Sequence, residues 1–442
     1  MHAHSLGRMI SVVAAGVTAL AGAADGQPNL PEPPAERDIG PPDNPFLEYG
    51  EPQEYSVVAQ INLLACGANG QRRIFGRGFL GQTQVWRLRG GEVLFPFADV
   101  TSNSAPMTPA FAAEFFADGD RLPVQRRVVG LDRAAAPYVE VTFPALAASN
   151  IRVRVEYLRR AWNTTFLEEK ARAVGYPSGE YPPEAAGTFR AEYGIPYAPD
   201  ADPSENPAKA LIAEWTGGKD PRNFLGPVLL AKGLTKLVID RISLSGDGAL
   251  QIGAIGGDVS SNIFVDSGDE PLSQTAAWDT ILSGRGTDID LVLTLTALLR
   301  EAGIPARLVV GVRDFETEGV SVRPQVEERD FITAWSEFFL LDEGSGESGW
   351  IPIDIIRQRE ESSRAPAIEK PYRFFGNHDE FELYVPLGHH VHPPTNTAWY
   401  GPPALYGWNP SPAVPDCGTH AVEATVQEPS NRGGTLVFSI GR

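Results

Sequence analysis

The chain has 442 residues, 42% of them hydrophobic and 21% charged, the balance of a folded protein long enough for two or three domains. Asp and Glu number 56 against 37 Lys and Arg, for a net charge of -19. Nucleic acid is thereby excluded as an expected partner, because a phosphate backbone must be met by clustered Lys and Arg, and acidic substrates are disfavoured for the same reason.

Taken in chain order, the first stretch is "MHAHSLGRMISVVAAGVTALAGAADGQP": one positive charge at Arg8, an apolar run from Met9 to Leu20, and small residues at Ala21 and Ala23. This layout predicts a secretory signal peptide over residues 1–24 and a secreted or periplasmic, cell-envelope location. No later stretch is long enough to span a bilayer core of roughly 30 Å, so the mature protein is not expected to cross a membrane. Residues 25–54, "PNLPEPPAERDIGPPDNPFLEYGEP" at their centre, are rich in proline and acid without apolar period and read as an extended linker. Residues 55–166 carry short alternating or β-branched runs ("YSVVAQINLL", "TQVWRLRGGEVLFPF", "VQRRVVGL", "YVEVTF", "IRVRVEYL") punctuated by Gly, Asn and Asp, which predicts an N-terminal β-sandwich. A Pro-, Gly- and Tyr-rich crossing at 167–206 marks a boundary.

Within 207–373, helical periodicity appears in "AKALIAEW" and "FLGPVLLAKGLTKLVIDRI", the latter with Pro227 near its first turn, where proline is tolerated. "GTDIDLVLTLTALLREAGIPARLVVGV", Gly286 to Val312, reads as a turn, a buried helix, a stop and a strand. Ile289, Leu291, Val292, Leu293, Leu295, Leu298 and Leu299 leave the helix almost no polar face, Gly303 ends it, and Pro305 prevents its resumption. Strands are predicted at "ARLVVGV", "FITAWSEFFLL" and "GWIPID", so a helix followed by strands gives an α+β pattern. The tail, 374–442, holds one further strand, "EFELYVPL", and a Pro-, Gly- and aromatic-rich end.

The ordered motifs "LLREAGIPARLVVG", "TAWSEFFL" and "GWIPIDII" resemble the transglutaminase-like superfamily over roughly Ala277 to Ile356. The resemblance implies a papain-like core, in which a thiol at a helix N-terminus faces a β-sheet. In that family the first element begins with a nucleophilic Cys, the second has His before Ala-Trp, and the third ends in Asp. Counting back from Gly303 puts the Cys position at Asp288, the His position at Thr333 and the Asp position at Asp354. Two of the three groups are thus replaced. A thiolate mechanism needs the thiol and a neighbouring imidazole, Thr333 cannot take a proton near neutral pH, and Asp354 is expected to have no imidazole to orient.

Asp288 reads first as a carboxylate at a helix start, where the dipole and unpaired amides favour negative charge, with Thr287 as cap. The sharper reading sets Asp288 and Asp354 across a cleft as acid and base, or as ligands of a divalent cation with Asp290 and Glu337. No cofactor is otherwise expected. Trp335 and Glu337 read as a strand with one aromatic in the core, or as the wall of a groove that once held substrate. "GHHVHPP" places His390 and His392 on one strand face, a weak metal candidate set against a polar surface turn. Trp399, Tyr400, Tyr406 and Trp408 either pack the tail onto the core or form a stacking surface. Cys66 and Cys417 either form a disulfide joining the early domain to the tail or stay as two buried thiols, and both readings stand. Together these readings describe an exported transglutaminase-like protein, most simply a pseudoenzyme that binds a protein, peptide or glycan of the cell envelope. The alternative is a hydrolase or transferase working through Asp288 and Asp354.

Overall fold

The alternating runs of the N-terminal region pair into two antiparallel sheets. The computed structural model describes residues 39–65, 85–107, 112–129, 137–189, 201–244, 276–313, 332–389, 407–414, 419–427 and 436–441. Eight strands come first: β1 (Leu47–Leu64), β2 (Trp86–Pro96), β3 (Ser104–Pro106), β4 (Ala112–Ala117), β5 (Asp120–Leu122), β6 (Gln125–Val129), β7 (Tyr138–Ala148) and β8 (Asn150–Phe166). In β1, Tyr55, Val57, Ile61 and Leu63 are fully buried at every second or fourth position, and β8 matches them with Ile151, Val153, Val155 and Tyr157. That period of two is what a sheet with one covered face requires. β1 and β8 pair from Leu47↔Phe166 to Leu64↔Asn150, with a register shift between Tyr49 and Pro52. Residues 47–54, assigned by composition to the linker, are therefore the start of β1.

Arg159 occupies an inward position of β8 and is fully buried. Its guanidinium donates to Ser104 Oγ at 3.1 Å, to the Asp99 carbonyl at 3.0 Å and to the Ala98 carbonyl, so the buried charge is met by acceptors of the loop it holds.

The crossing segment carries α1 (Glu168–Arg172) and α2 (Pro183–Ala186). Beyond it lie α3 (Pro207–Thr216), α4 (Pro227–Arg241), β9 (Ser243–Leu244), α5 (Ala276–Ser283), β10 (Arg285–Gly286) and α6 (Asp288–Glu301). Then come β11 (Ala306–Arg313), β12 (Ile332–Leu341), β13 (Ser348–Ile353), α7 (Ile355–Glu361) and β14 (Tyr384–His389). The predicted strand "EFELYVPL" begins instead as a 3-10 turn over Phe381–Leu383 and becomes strand only at Tyr384.

α6 is the buried helix that its sequence predicts: Ile289, Leu291, Val292, Leu293, Leu295, Leu298 and Leu299 are at most 1% exposed. Burying each such side chain contributes about 1.5–3 kcal/mol relative to exposure. Two of its buried polar side chains are answered locally or by the sheet: Thr296 Oγ1 bonds the Val292 carbonyl and lies 2.8 Å from Ser336 Oγ on β12, while Arg300 Nε donates to the Ala306 carbonyl at 2.8 Å; Thr294 Oγ1 is buried without a partner. Gly303, at φ +80°, makes the left-handed turn that ends the helix, and Pro305 follows. The helix packs on an antiparallel sheet of order β13-β12-β11-β14.

The tail contributes more strand than the sequence predicts. β15 (Gly407–Ser411) adds to β2, and β16 (Thr419–Gln427) pairs with β1 and with β17 (Leu436–Gly441). The N-terminal sheets are thus β17-β16-β1-β8-β4-β5, with β3 also on β8, and β15-β2-β7-β6. Trp408 on β15 is fully buried against Trp86, ring centroids 4.9 Å apart, so this ring packs the tail down. Trp399, Tyr400 and Tyr406 lie outside the described residues, as do the signal-peptide segment, Cys66 and Cys417.

Candidate functional site

The N-terminus of α6 is closed by its own residues. Thr287 is the N-cap in extended conformation, and its N–H and hydroxyl both donate to Asp290 Oδ2, at 2.8 and 3.0 Å. Asp290 is 1% exposed and its Oδ1 has no partner. Burial raises its carboxyl to about 6, against the pull of the two Thr287 bonds. Asp290 is therefore a cap, and its expected place in a cleft or cation site is corrected: one oxygen is committed and the side chain is sealed from solvent.

Asp288, one turn edge away, is half-buried. Its carboxyl is pushed up to about 7, first by burial and then by the charges of Glu360, Asp354 and Asp290. The three acids crowd one end of the helix, so the favourable helix-start environment is outweighed.

Asp354 follows β13 and caps α7: its Oδ1 accepts the Arg357 N–H at 3.0 Å. Its Oδ2 lies 3.2 Å from Nε2 of His378. This is the functional-looking contact that sequence reasoning missed, and it corrects the expectation that Asp354 has no imidazole. Asp354 and His378 are 1% and 2% exposed. The imidazole stacks on Phe381 (4.6 Å, 9°) and meets Tyr384 and Phe374 edge-on, and its Nδ1 accepts a long 3.4 Å contact from the Glu380 N–H.

The sandwich holds this histidine in place. Thr164 of β8 exchanges backbone bonds with His378 at 3.1 and 2.9 Å, and its hydroxyl donates to the Gly376 carbonyl. Phe166 N–H donates to Asn377 Oδ1 at 2.8 Å. Gly376, at φ +71°, is required there, since a Cβ would stand 2.4 Å from the Phe166 ring.

Thr333 pairs with Gly311 on β11 and is half-buried. The regular register gives β12 two faces. Ser336 points at α6, whereas Trp335 and Glu337, and Thr333 by the same alternation, point away from it. Trp335 is fully buried against Phe381 and Tyr384, in the cluster that also encloses the His378 ring. Glu337 is fully buried too. Its Oε1 accepts from Ser102 N (2.8 Å), Ser102 Oγ (2.6 Å) and Trp335 Nε1 (3.2 Å), and its Oε2 from Arg307 Nε (2.7 Å). Trp335 and Glu337 are therefore not groove residues: no face of either reaches solvent, and the carboxylate ties the core sheet to the sandwich loop that carries Ser102.

One cavity lies apart from Asp288, Asp354 and His378 but beside the Glu337 network, with Ser102 and Arg307 in its lining. About 390 Å³ in volume, it opens between the loop Asp99–Ser102, the segment Pro42–Asn44 and the ends of β13 and β14. His389 lines it. This residue was assigned to a polar surface turn, yet it is 2% exposed, with Nδ1 unpartnered and its charged form disfavoured first by burial and then by Arg307 and Arg159. His390 and His392 lie outside the described residues. Among the described residues no group of three or more His, Cys, Asp or Glu is placed to hold a metal ion, and no helix is long and apolar enough to cross a membrane.

A buried helix opening on an acid, a strand with the Ala-Trp pair and a strand ending in the helix-capping Asp354 follow one another in the order that the motifs require. Residues 246–355 match the family model described as the transglutaminase-like superfamily. The chain carries a transglutaminase-like domain. Outside this domain no curated protein matches the chain, and none matches it within. Among solved structures, a "putative cysteine protease" from Cytophaga hutchinsonii is 9% identical, with a TM-score of 0.44 over 90% of this chain and 100% of that one. A "putative protease" from Parabacteroides distasonis is 12% identical, with a TM-score of 0.20 over 70% of this chain, which spans 57% of that protein.

Proposed function

We propose that this transglutaminase-like protein is exported and acts as a pseudoenzyme, binding a protein, peptide or glycan of the cell envelope. The observation that carries the reading is the commitment of the groups at the triad positions. Both oxygens of Asp354 are engaged, one as the α7 cap and one by His378. The imidazole is enclosed by three aromatic rings, and the group at the mouth of α6 is the carboxyl of Asp288 where thiol chemistry requires a thiolate. The signal-peptide layout of residues 1–24 supports export.

One contact favours a second reading, that of a carboxylate-based hydrolase or transferase. An Asp that orients an imidazole is two-thirds of a triad, and the Asp288 carboxyl, at about 7, is poised to exchange a proton near neutrality. The enclosure of His378 weighs against it.

An assay of the mature chain for amine incorporation and peptide hydrolysis, beside Asp288→Ala, Asp354→Ala and His378→Gln, separates the two. Turnover no greater than in the variants, together with co-sedimentation of the wild type with the host's envelope fraction, is the expected result. Turnover abolished in all three variants overturns the pseudoenzyme reading.

A further inference from the structure

The 390 Å³ cavity combines three features. Its mouth carries Asp43, Asp99 and Glu184, all exposed and none with an ion-pair partner among the described residues. Its rim is apolar: Val100 and Val128 are 43% and 45% exposed, two of the few large apolar side chains left in water. Its lining includes His389, 98% buried by its 2% exposure, with an unpartnered Nδ1 and held neutral. The one cation in the lining, Arg307, is already neutralised by Glu337 at 2.7 Å and stacked on Trp350 at 4.1 Å. Three exposed carboxylates without a close ion pair, of which Asp99 feels the buried Arg159 guanidinium, thus stand over an apolar throat and a neutral nitrogen.

We propose that this cavity binds a basic side chain, arginine or lysine, of a partner peptide. The apolar stem of such a side chain would lie against Val100 and Val128 while its charged head meets the carboxylates, the arrangement by which long cationic side chains cover apolar surface. Exposed carboxylates without a close ion pair are the complement of such a head, and the net charge of -19 draws a basic segment toward the surface as a whole. An acidic peptide would be repelled at the mouth, and a neutral one would leave the three charges unanswered. The assignment narrows the binding role proposed above and rests on it for the existence of a partner, but the site lies apart from Asp288, Asp354 and His378.

Fluorescence anisotropy tests it directly with a fluorescein-labelled valine-arginine-valine-arginine-valine peptide and its glutamine counterpart. The arginine peptide is expected to bind, and the glutamine peptide to bind more weakly by about tenfold or more. The triple variant Asp43→Asn/Asp99→Asn/Glu184→Gln is expected to weaken the arginine peptide by a similar factor. A control triple of equal charge change at exposed acids that do not line the cavity, Glu48→Gln/Asp120→Asn/Glu369→Gln, is expected to change affinity less than about twofold. Val128→Trp fills the mouth without altering charge and is expected to abolish binding, thermal unfolding confirming that each variant is folded. Equal weakening by the two triples, unaltered binding by Val128→Trp, equal binding of the two peptides, or no binding of the arginine peptide overturns the proposal. None of these outcomes bears on catalysis, so failure here is distinguishable from failure in the turnover assay.

Discussion

At the scale of single residues, the informative group is Asp288. Its carboxyl binds a proton more tightly in the folded chain, at about 7, than at its ordinary value of 3.8. Folding therefore takes up a proton between those values, so this residue's contribution to stability falls as pH rises through about 4 to 7, and the cost is complete above that window. Asp288→Asn removes the ionisation. After allowing for solvent screening of a half-buried group, the variant is expected to exceed wild type by on the order of 1–2 kcal/mol near pH 8 and to equal it near pH 4. Urea unfolding at both pH values measures this, and a gain independent of pH would refute it. Asp290 behaves differently because it is an acceptor. Asp290→Ala leaves the buried Thr287 N–H without its partner and is expected to cost about 1–3 kcal/mol in the same experiment. The acid that opens α6 and the Asp354 that follows β13 were legible because motif spacing counts residues. The surroundings of Trp335 and Glu337 were not, since alternation along β12 separates two faces without saying which of them a second layer covers. His378 was invisible for another reason: it follows the last motif in an irregular segment with no period, and backbone bonds to β8 and to the end of β13 bring it to Asp354.

At the scale of elements, α6 was the most legible piece of the chain. Its all-round apolar surface, glycine stop and following proline are local properties, and each appears where the sequence puts it. The link from β11 and β12 to the sandwich was not legible, because it runs through a carboxylate shared by Ser102, Trp335 and Arg307 and through the Arg307 bond to the Val100 carbonyl. Glu337→Ala strands the Arg307 charge and three further donors, and it is expected to destabilise by about 3–5 kcal/mol. The double variant Arg307→Met/Glu337→Leu should recover much of that loss, whereas a double variant as unstable as the single one would show that the charge pair is not what matters. Cys66 and Cys417 both fall outside the described residues. An oxidising compartment favours the disulfide over two separate thiols. Peptide mapping without reductant is expected to recover the two cysteines joined, while two alkylatable thiols in the exported protein would decide for the other reading.

At the scale of the whole molecule, the tail is the surprise. A Pro- and Gly-rich end reads from composition as appended sequence, yet β15, β16 and β17 extend both N-terminal sheets. Trp408→Ala, which empties a fully buried site against Trp86, is expected to cost about 3–5 kcal/mol in urea unfolding. A cost near zero would mean that the tail is not part of the folded unit. The sequence alone determined the α+β class, the order of the elements and the acid at the mouth of the central helix, because these follow from period, turn chemistry and spacing along one stretch of chain. Tertiary structure alone decided that Glu337 joins two layers, that His378 meets Asp354, and that the last strands close the first sheets. Each of these unites residues at least two dozen positions apart, and most unite residues hundreds apart, so no local pattern in the chain records them; the energy that selects them is the burial and hydrogen bonding gained when the layers meet.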